Sequence, residues 1–504
     1  MTAAREDQTT TSTLLTEAPA APAPTVGAQI GARAEAEAGA ALAFPPKFIW
    51  GAGTAAYQIE GAAADDGRGP SIWDTFSRTP GRVRNGDTGD RAVDHYHRYE
   101  QDVALMAQLG LRAYRFSVAW PRIQPDGRGP VNQRGLDYYR RLVDCLLDHD
   151  VEPWITLYHW DLPQALQDLG GWPQREVAER FADFAQLVYG ALHDRVHTWA
   201  TMNEPWCSAF LGYGSGRLAP GVQDPHQALR AAHHLMLGHG RAITAMRAID
   251  PGNHLGITLD FNPAVPASGD PADVDMARQV NGLRNRFFLD AILRGAYPAD
   301  VLRDLERFTD LAHLRDGDQA VIGMPIDLLG VNYYNRALVA AGPPGTGTGT
   351  EAGAPMLEFP GAETAVFVPQ EDRPRTARGW PVDPDGLYDL LLWLHREYPP
   401  MPLAVTENGA AFDDYADPEG QVHDPDRISF LDGHFRAAQR AIAEGVDLRG
   451  YFVWSLLDNY EWEEGYSKRF GLIYVDYPTQ QRVLKDSAHW YRQVIARNGL
   501  DGQR

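Results

Sequence analysis

The stretch TWATMNEP, residues 198–205, decides the fold, because it is a strand-like run that ends in a carboxylate. Thr198 to Asn203 has the composition of a buried strand, and Glu204 follows where an apolar residue would be expected. A second run, LAVTENG at 403–409, has the same form and presents Glu407. Burying an ionised carboxylate among apolar neighbours is costly, so two of them at strand ends indicate a functional site.

Runs of this kind recur along the chain and alternate with helical patterns. Tyr99, Val103 and Met106, for example, recur at spacings of four and three residues, as one face of a helix does. Strands this apolar are covered on both faces, as parallel strands are. The sequence therefore predicts an α/β protein with a single (β/α)8 barrel, the TIM barrel. The eight predicted strands are Phe48 to Tyr57, Ala113 to Trp120, Pro153 to Trp160, Thr198 to Asn203, His254 to Phe261, Leu328 to Tyr334, Leu403 to Glu407 and Gly450 to Leu456.

Polar and aromatic side chains fall near the C-terminal ends of these predicted strands, where such a barrel builds its active site. Every predicted strand except the fifth contributes one. In chain order they are Gln58, Arg115, His159, Asn203 with Glu204, Asn332 with Tyr334, Glu407 and Trp454. We therefore expect these side chains to surround one site.

Composition limits the partners. The 504 residues carry a formal net charge of −21, which repels nucleic acid and acidic membrane surfaces and favours a neutral small molecule. No apolar run approaches the ~20 residues that span a bilayer, so we expect no membrane association. Cys145 and Cys207 are expected to be free thiols of a cytoplasmic protein, and a single bridge between them is the alternative.

The ends of the chain are expected to lie outside the barrel. Residues 1–43 are rich in Ala, Thr, Pro and Glu and predict a disordered N-terminal tail, since they cannot bury enough surface to offset ordering entropy. The barrel domain is predicted to span 44–497, and 498–504 to form a C-terminal tail. The stretch GPPGTGTGTEAG at 342–353 predicts a mobile surface loop.

Several motifs resemble those of family 1 glycoside hydrolases, the β-glucosidase family. TMNEP at 201–205 is similar to the family's acid/base motif, and VTENG at 405–409 to its nucleophile motif. The resemblance covers about residues 44–497. Further matching motifs, in family order, are FIWG at 48–51, QIEG at 58–61, YRFS at 114–117, WPR at 120–122, LYHWD at 157–161, GVNYY at 330–334 and WSLLDNYEW at 454–462.

The resemblance implies that Glu407 is the nucleophile and Glu204 the general acid/base. Their carboxyl groups should then lie ~5 to 5.5 Å apart, which leaves no room for a water and gives retention through a covalent glycosyl intermediate. Arg115 would keep Glu407 ionised, whereas Glu204 must hold a proton. The alternative interpretation is a pair of buried glutamates satisfied by backbone donors.

The resemblance also assigns the sugar pocket. Tyr334 resembles a family tyrosine that hydrogen-bonds the nucleophile. Asn203 resembles a family asparagine that holds the sugar 2-hydroxyl, and a capping or turn role is the alternative for it. His159 could otherwise be a satisfied core histidine, and Trp454 a core residue. The residues implied to bind substrate are Gln58, His159, Asn203, Asn332, Trp454, Glu461, Trp462 and Phe470.

Two residues narrow the substrate. Phosphosugar-cleaving relatives carry Ser in place of Glu461, and a carboxylate here would repel a 6-phosphate. Thioglucosidase relatives carry Gln in place of Glu204, so O-glycosides are favoured. Trp380 resembles a tryptophan at the mouth of family pockets, and packing of its own loop is the alternative.

The sequence thus predicts a retaining β-glucosidase acting on terminal non-reducing β-D-glucosyl residues, with cellobiose or aryl glucosides as substrates. Some tolerance for β-galactosides or β-fucosides is expected. A transglycosylase using the same intermediate and a sugar-binding protein without turnover are the rivals. No cofactor is expected, because the chemistry requires only carboxylates and water. No metal is expected either, because His95 with His97 and His233 with His234 lack further ligands in metal-site spacing. A homo-oligomer is possible.

Overall fold

Eight parallel strands close into a barrel in this computed structural model, which describes residues 42–343 and 357–502. The last strand pairs with the first, Tyr451 beside Trp50, which completes the ring. The predicted (β/α)8 barrel is confirmed. The barrel strands are β1 Ile49–Gly53, β2 Ala113–Ser117, β3 Glu152–Tyr158, β4 Thr198–Asn203, β5 His254–Phe261, β6 Leu328–Tyr333, β7 Leu403–Asn408 and β8 Leu448–Trp454.

Helices connect successive barrel strands, and four of the helical segments between them begin at an Asp-Pro pair. Asp224, Asp270, Asp383 and Asp424 each precede a proline in the first helical turn, where its missing N–H costs nothing. The carboxylates of Asp224, Asp270 and Asp383 also accept backbone N–H bonds of that turn. The main helices are α1 His95–Leu109, α2 Gln133–Asp148, α3 Arg175–Leu192, α4 Pro225–Ile249, α5 Phe287–Leu293, α6 Pro384–Glu397, α7 Pro425–Ala443 and α8 Asp486–Arg497.

Shorter elements build the loops around the barrel. The strands Ala264–Pro266, Ala337–Ala341 and Ala365–Phe367 form a small sheet, and Ile473–Asp476 pairs with Gln481–Leu484. Further strands are Leu42–Ala43 and Gly499–Leu500. The remaining helical segments are Ala56–Ile59, Asp65–Gly67, Ile72–Ser77, Arg84–Gly86, Trp120–Ile123, Gln164–Asp168, Cys207–Gly214, Pro271–Asn281, Gly282–Arg286, Ala299–Asp304, Asp318–Ile322 and Trp462–Glu464.

The barrel interior is filled near the start of its strands. Ala113, Trp154, Ala404 and Phe452 form a buried cluster there. Gly51 permits it, because a Cβ at this position would come within 2.5 Å of the Phe452 ring. This end of the barrel is thus a packed core, and polar side chains are left to the C-terminal ends.

Several strands are shorter than predicted. β1 ends at Gly53 rather than at Tyr57, and the chain enters the helix Ala56–Ile59. β2 ends at Ser117 rather than at Trp120. In both cases the apolar run continues because the residues beyond the strand are also buried, under loops that cover the barrel end.

The fold extends slightly beyond its predicted bounds. Asn498, expected to start the C-terminal tail, accepts a bond from the backbone N–H of Phe44 at 3.0 Å and from the Trp50 indole at 2.9 Å. The compact unit spans residues 43–500 rather than 44–497. Residues 1–41 of the predicted tail and 344–353 of the predicted loop lie outside the described residues. Within the described ranges, every helix is too short or too polar to cross a membrane.

Candidate active site

Glu407 lies near the end of β7 and is held by groups from two other strands. The guanidinium of Arg115, on β2, donates to its Oε1 at 2.7 Å. The hydroxyl of Tyr334, just after β6, donates to its Oε2 at 2.8 Å. The side chain of Glu407 is 4% exposed. Both carboxylate oxygens therefore have a strong donor in a site with little water.

Glu204 follows β4 and has a different set of neighbours. Its backbone has a φ of 49°, an unusual value for a residue with a side chain, and its N–H donates to the Thr258 carbonyl at 3.0 Å. The Asn332 amide donates to its Oε1 at 2.7 Å, and the Cys207 thiol to its Oε2 at 3.4 Å. Its hydrogen-bond donors are therefore neutral groups.

The pKa values of both carboxyls are raised, that of Glu204 more than that of Glu407. The pKa of Glu204 is raised well above its usual value, by burial first and then by the negative charges of Glu407 and Asp260. Burial also raises the pKa of Glu407, but the charge and hydrogen bond of Arg115 oppose it, as does Tyr334. Glu204 is therefore the group that holds a proton, and Glu407 the one that ionises first.

Asn203, the last residue of β4, joins the other polar residues into one network. Its Oδ1 accepts from Arg115 at 2.6 Å and from Asn332 at 3.0 Å. Its Nδ2 lies 2.9 Å from Nε2 of His159. Burial and the nearby Arg115 charge lower the pKa of His159 well below its usual value, so the ring is neutral. Nε2 then accepts from Asn203 and Nδ1 carries the proton, for which the described part of the chain offers no acceptor.

A central cavity of about 470 Å³ opens beside both glutamates. It is walled by aromatic rings, on which the C–H face of a sugar packs. The His159 ring lies 5.8 Å from that of Trp454 and 5.9 Å from that of Trp462. The sequence-predicted residues that line this central cavity are His159, Glu204, Asn332, Tyr334, Glu407, Trp454, Glu461, Trp462 and Phe470.

Three predicted residues lie behind the wall of the central cavity. Arg115 and Asn203 belong to the network just described, and the Asn203 amide keeps one N–H that its bond to His159 does not use. Gln58 donates to the Tyr460 carbonyl at 2.8 Å and to Glu461 Oε2 at 3.4 Å. Its Oε1 has no hydrogen-bond partner within the described part of the chain. Gln58 is thus placed to orient Glu461, with one acceptor left over.

Glu461 has an ion-pair partner that sequence reasoning missed. The Arg378 guanidinium donates to Glu461 at 2.8 Å and to Glu463 at 3.2 Å. Burial raises the pKa of Glu461 to about 7, although the Arg378 charge lowers it. No local sequence signal identifies Arg378, because its partner lies 83 positions away.

Near Glu204, the lining of the central cavity contains a second group that sequence reasoning missed. Asp260, at the end of β5, pairs with Arg284 at 2.8 Å, and the Arg284 guanidinium lies 4.1 Å from the centre of the Trp206 ring. All three residues line the central cavity. Asp260 could have been found by the rule that located the others, since it is a carboxylate near the end of a predicted strand.

The long segment after β6 forms the mouth of the central cavity. Arg336, Gln370, Arg378 and Trp380 from this segment line it. The Trp380 ring lies 5.3 Å from that of Tyr334 and 6.2 Å from that of Phe470.

The histidine pairs have ordinary partners. His95 bonds Asp102 at 2.8 Å, and His233 contacts Tyr297 and Asp318 at 2.9 Å each. Residues 42–343 and 357–502 contain no cluster of three or more His, Cys, Asp or Glu side chains suited to a metal ion. Cys145 and Cys207 are free thiols.

A (β/α)8 barrel with two buried carboxyls and an aromatic cavity at its C-terminal end defines a glycoside hydrolase. The model of Glycosyl hydrolase family 1 matches residues 41–500, and the chain belongs to that family. Thermostable beta-glucosidase B of Thermobispora bispora is 53% identical, over 93% of this chain and 94% of that protein. A bifunctional beta-D-glucosidase/beta-D-fucosidase of Bifidobacterium breve is 49% identical, over 90% and 98%.

A solved structure, the beta-glucosidase from Thermotoga maritima in complex with deoxynojirimycin, superposes with a TM-score of 0.85. It is 46% identical to this chain and the match covers 91% of this chain and 100% of that one.

Proposed function

We propose that this protein is a retaining β-glucosidase that hydrolyses terminal, non-reducing β-D-glucosyl residues. The observation that carries this proposal is that Glu204 and Glu407 line one cavity, are both buried, and have different neighbours. Glu407 has the Arg115 cation at 2.7 Å, and Glu204 has none among its hydrogen-bond donors. Acid and nucleophile roles require this difference in protonation.

The first half of the reaction forms a glycosyl-enzyme. A Glu407 oxygen attacks the anomeric carbon, and the bond from that carbon to the aglycone oxygen breaks. The Glu204 proton moves to the departing oxygen, which leaves as an alcohol. Asn203, held by Arg115 and His159, would bond the sugar 2-hydroxyl, a contact that strengthens as the ring distorts.

The second half returns the enzyme to its starting state. Formation of the ester removes the Glu407 charge, which is one of the causes that raise the pKa of Glu204. Glu204 then takes a proton from water, the water oxygen bonds to the anomeric carbon, and the ester breaks. Two inversions give net retention, and we expect the carboxyl separation of ~5 to 5.5 Å that this requires.

Several features support unphosphorylated O-glucosides as substrates, with cellobiose and aryl glucosides the expected cases. Glu461 lines the central cavity and would repel a sugar phosphate. Tolerance for β-fucosides is supported by the Bifidobacterium breve relative, whose name includes both activities.

We also propose a cytoplasmic location and a role in degrading cellulose-derived sugars. Free cysteines are typical of reducing compartments.

The test uses Glu204→Ala with an aryl β-glucoside that has a good leaving group. Glycosylation should change little, since such a group leaves without a proton, whereas deglycosylation should become slow. Added azide should restore turnover and give a β-glycosyl azide, measured by NMR of the product. An α-glycosyl azide would contradict double displacement, and unchanged deglycosylation would reject Glu204 as the base.

A further inference from the structure

A second cavity of about 390 Å³ lies outside the barrel, against α6. We call it the outer cavity. Gly386, Asp389, Leu390 and Trp393 face it from α6, at the i, i+3, i+4 and i+7 spacing of one helix face. Its volume falls within the range of pockets that bind small molecules.

One wall of the outer cavity is apolar and includes a large aromatic ring. Pro263, Val265 and Leu390 line it together with the half-buried indole of Trp393. An indole that remains partly accessible beside an apolar wall offers a flat surface to the C–H face of a sugar or a similar saturated ring.

The lining of the outer cavity also includes Asn285, which has a buried polar atom that lacks a partner within the described ranges. Asn285 is 3% exposed, and its Nδ2 donates to Asn281 Oδ1 at 2.9 Å. Its Oδ1 finds no hydrogen-bond partner among residues 42–343 and 357–502. A buried amide oxygen without a donor is costly, so this position calls for a ligand hydroxyl.

Charged groups at the outer cavity already have partners of opposite sign. Arg278 pairs with Asp300 at 3.0 Å and with Asp304 at 2.9 Å. Arg286 also pairs with Asp300, its Nη1 at 3.1 Å. The third arginine, Arg336, pairs with Asp383 at 2.6 Å and with Asp389 at 2.8 Å. A charged ligand would have to compete with these pairs, so the lining favours a neutral one.

We propose that the outer cavity is a second binding site for a neutral, polyhydroxylated ring of monosaccharide size, stacked on Trp393 and hydrogen-bonded to Asn285. The argument uses only the lining of this cavity, so it does not depend on the proposed hydrolytic function.

Arg336 connects the two cavities, since it lines both. Its guanidinium bonds Asp389 of the outer cavity, and its carbonyl accepts from Gln370 at the mouth of the central cavity, at 3.1 Å. The proposed ligand would therefore lie beside a residue that also lines the mouth of the central cavity, and effects on KM rather than on kcat are expected.

The test is calorimetric titration of the full chain with D-glucose, after the central cavity has been saturated with deoxynojirimycin. Inhibition of aryl-glucoside hydrolysis verifies that saturation. We expect one further glucose to bind per chain. Trp393→Ala and Asn285→Leu should each weaken this binding by about tenfold or more, the effect of losing one contact of roughly 1.4 kcal/mol. Tyr415→Ala, which removes an aromatic side chain that is 75% exposed elsewhere, is the matched control and should bind as the parent does.

Other outcomes would overturn the proposal. These are an absence of saturable binding, binding unchanged in both variants, or equal binding of cyclohexanol, which would indicate a merely apolar pocket. Tighter binding of glucose 6-phosphate would show an anion site instead. Trp393 is half-buried on the surface of α6, so its variant should fold, and a thermal melt verifies this for both.

Discussion

Glu204 and Glu407 are similarly buried, yet the charged groups beside them have opposite signs. Glu204 is 6% exposed and Glu407 is 3% exposed. On the proposed nucleophile side, a cation and a phenol lie beside Glu407, from β2 and from the end of β6. On the proposed acid side, an amide, a thiol and the carboxylate of Asp260 lie around Glu204. Burial alone therefore does not assign the roles; the charges placed beside each carboxyl do.

The largest effect should come from removing the nucleophile. Glu407→Gly should lower kcat for an aryl β-glucoside by roughly 10⁶-fold, the order seen when a catalytic nucleophile is deleted. The measurement is steady-state turnover, with circular dichroism as the control for folding. Near-normal turnover by a folded variant would reject Glu407 as the nucleophile.

Tyr334→Phe keeps the Glu407 carboxylate and removes one of its hydrogen-bond donors. It deletes the 2.8 Å hydrogen bond to Glu407 Oε2. A hydrogen bond to a charged group contributes about 1.5–3 kcal/mol, so kcat should fall roughly 10- to 150-fold. The pKa of Glu407 should rise, because this bond is one of the causes that lower it.

The pH profile of Tyr334→Phe separates that effect from general damage. Glycosylation needs Glu407 ionised, so a higher pKa of Glu407 should move the acidic limb of the variant's kcat/KM profile to higher pH. A uniform loss of activity with an unmoved acidic limb would argue that Tyr334 acts only in packing.

Asp260→Asn tests the acid side. The Asp260 charge raises the pKa of Glu204, so its removal should lower that pKa. Glycosylation needs Glu204 protonated, and activity is lost as pH rises through its pKa. The alkaline limb of kcat/KM should therefore move to lower pH. Asp447→Asn, at an exposed carboxylate paired with Arg449, is the control and should leave the profile unchanged. A shift to higher pH would refute the assignment.

The smallest effect is expected at Cys207. Its thiol donates to Glu204 Oε2 at 3.4 Å, a long bond that lowers the pKa of Glu204 slightly. Cys207→Ala should thus move the alkaline limb to higher pH, opposite to Asp260→Asn. Cys207→Ser, a better donor, should move it to lower pH. If both variants moved the limb the same way, steric change rather than hydrogen bonding would be responsible.

Much of the barrel could be predicted from the sequence, because each strand is indicated by the apolar pattern of its own short segment. The apolar run Thr198 to Asn203 indicates a buried strand, and the structure begins and ends β4 at those residues. The strand ends were less certain where burial continues into a loop, as after Gly53 and Ser117. Hydrophobicity reports burial, and burial does not stop where strand pairing stops.

The site was harder to read, because its pairs are distant in sequence. Motifs and strand ends indicated Glu204, Glu407, Asn203 and Tyr334. They did not indicate that Gln58 donates a hydrogen bond to Glu461. Nor did they indicate that Arg378 pairs with Glu461, which lies 83 positions further along the chain. Such pairs leave no periodicity or spacing that could be recognised.

The sequence by itself determined the barrel, the two glutamates and the family to which they belong, since hydrophobic pattern and motif spacing are properties of short segments. The resemblance implied which carboxyl is ionised, and only the tertiary structure showed all the groups that set this difference, Asp260 among them. Electrostatic interactions depend on distance through space, and barrel closure is what brings Arg115 to Glu407 and Asp260 toward Glu204.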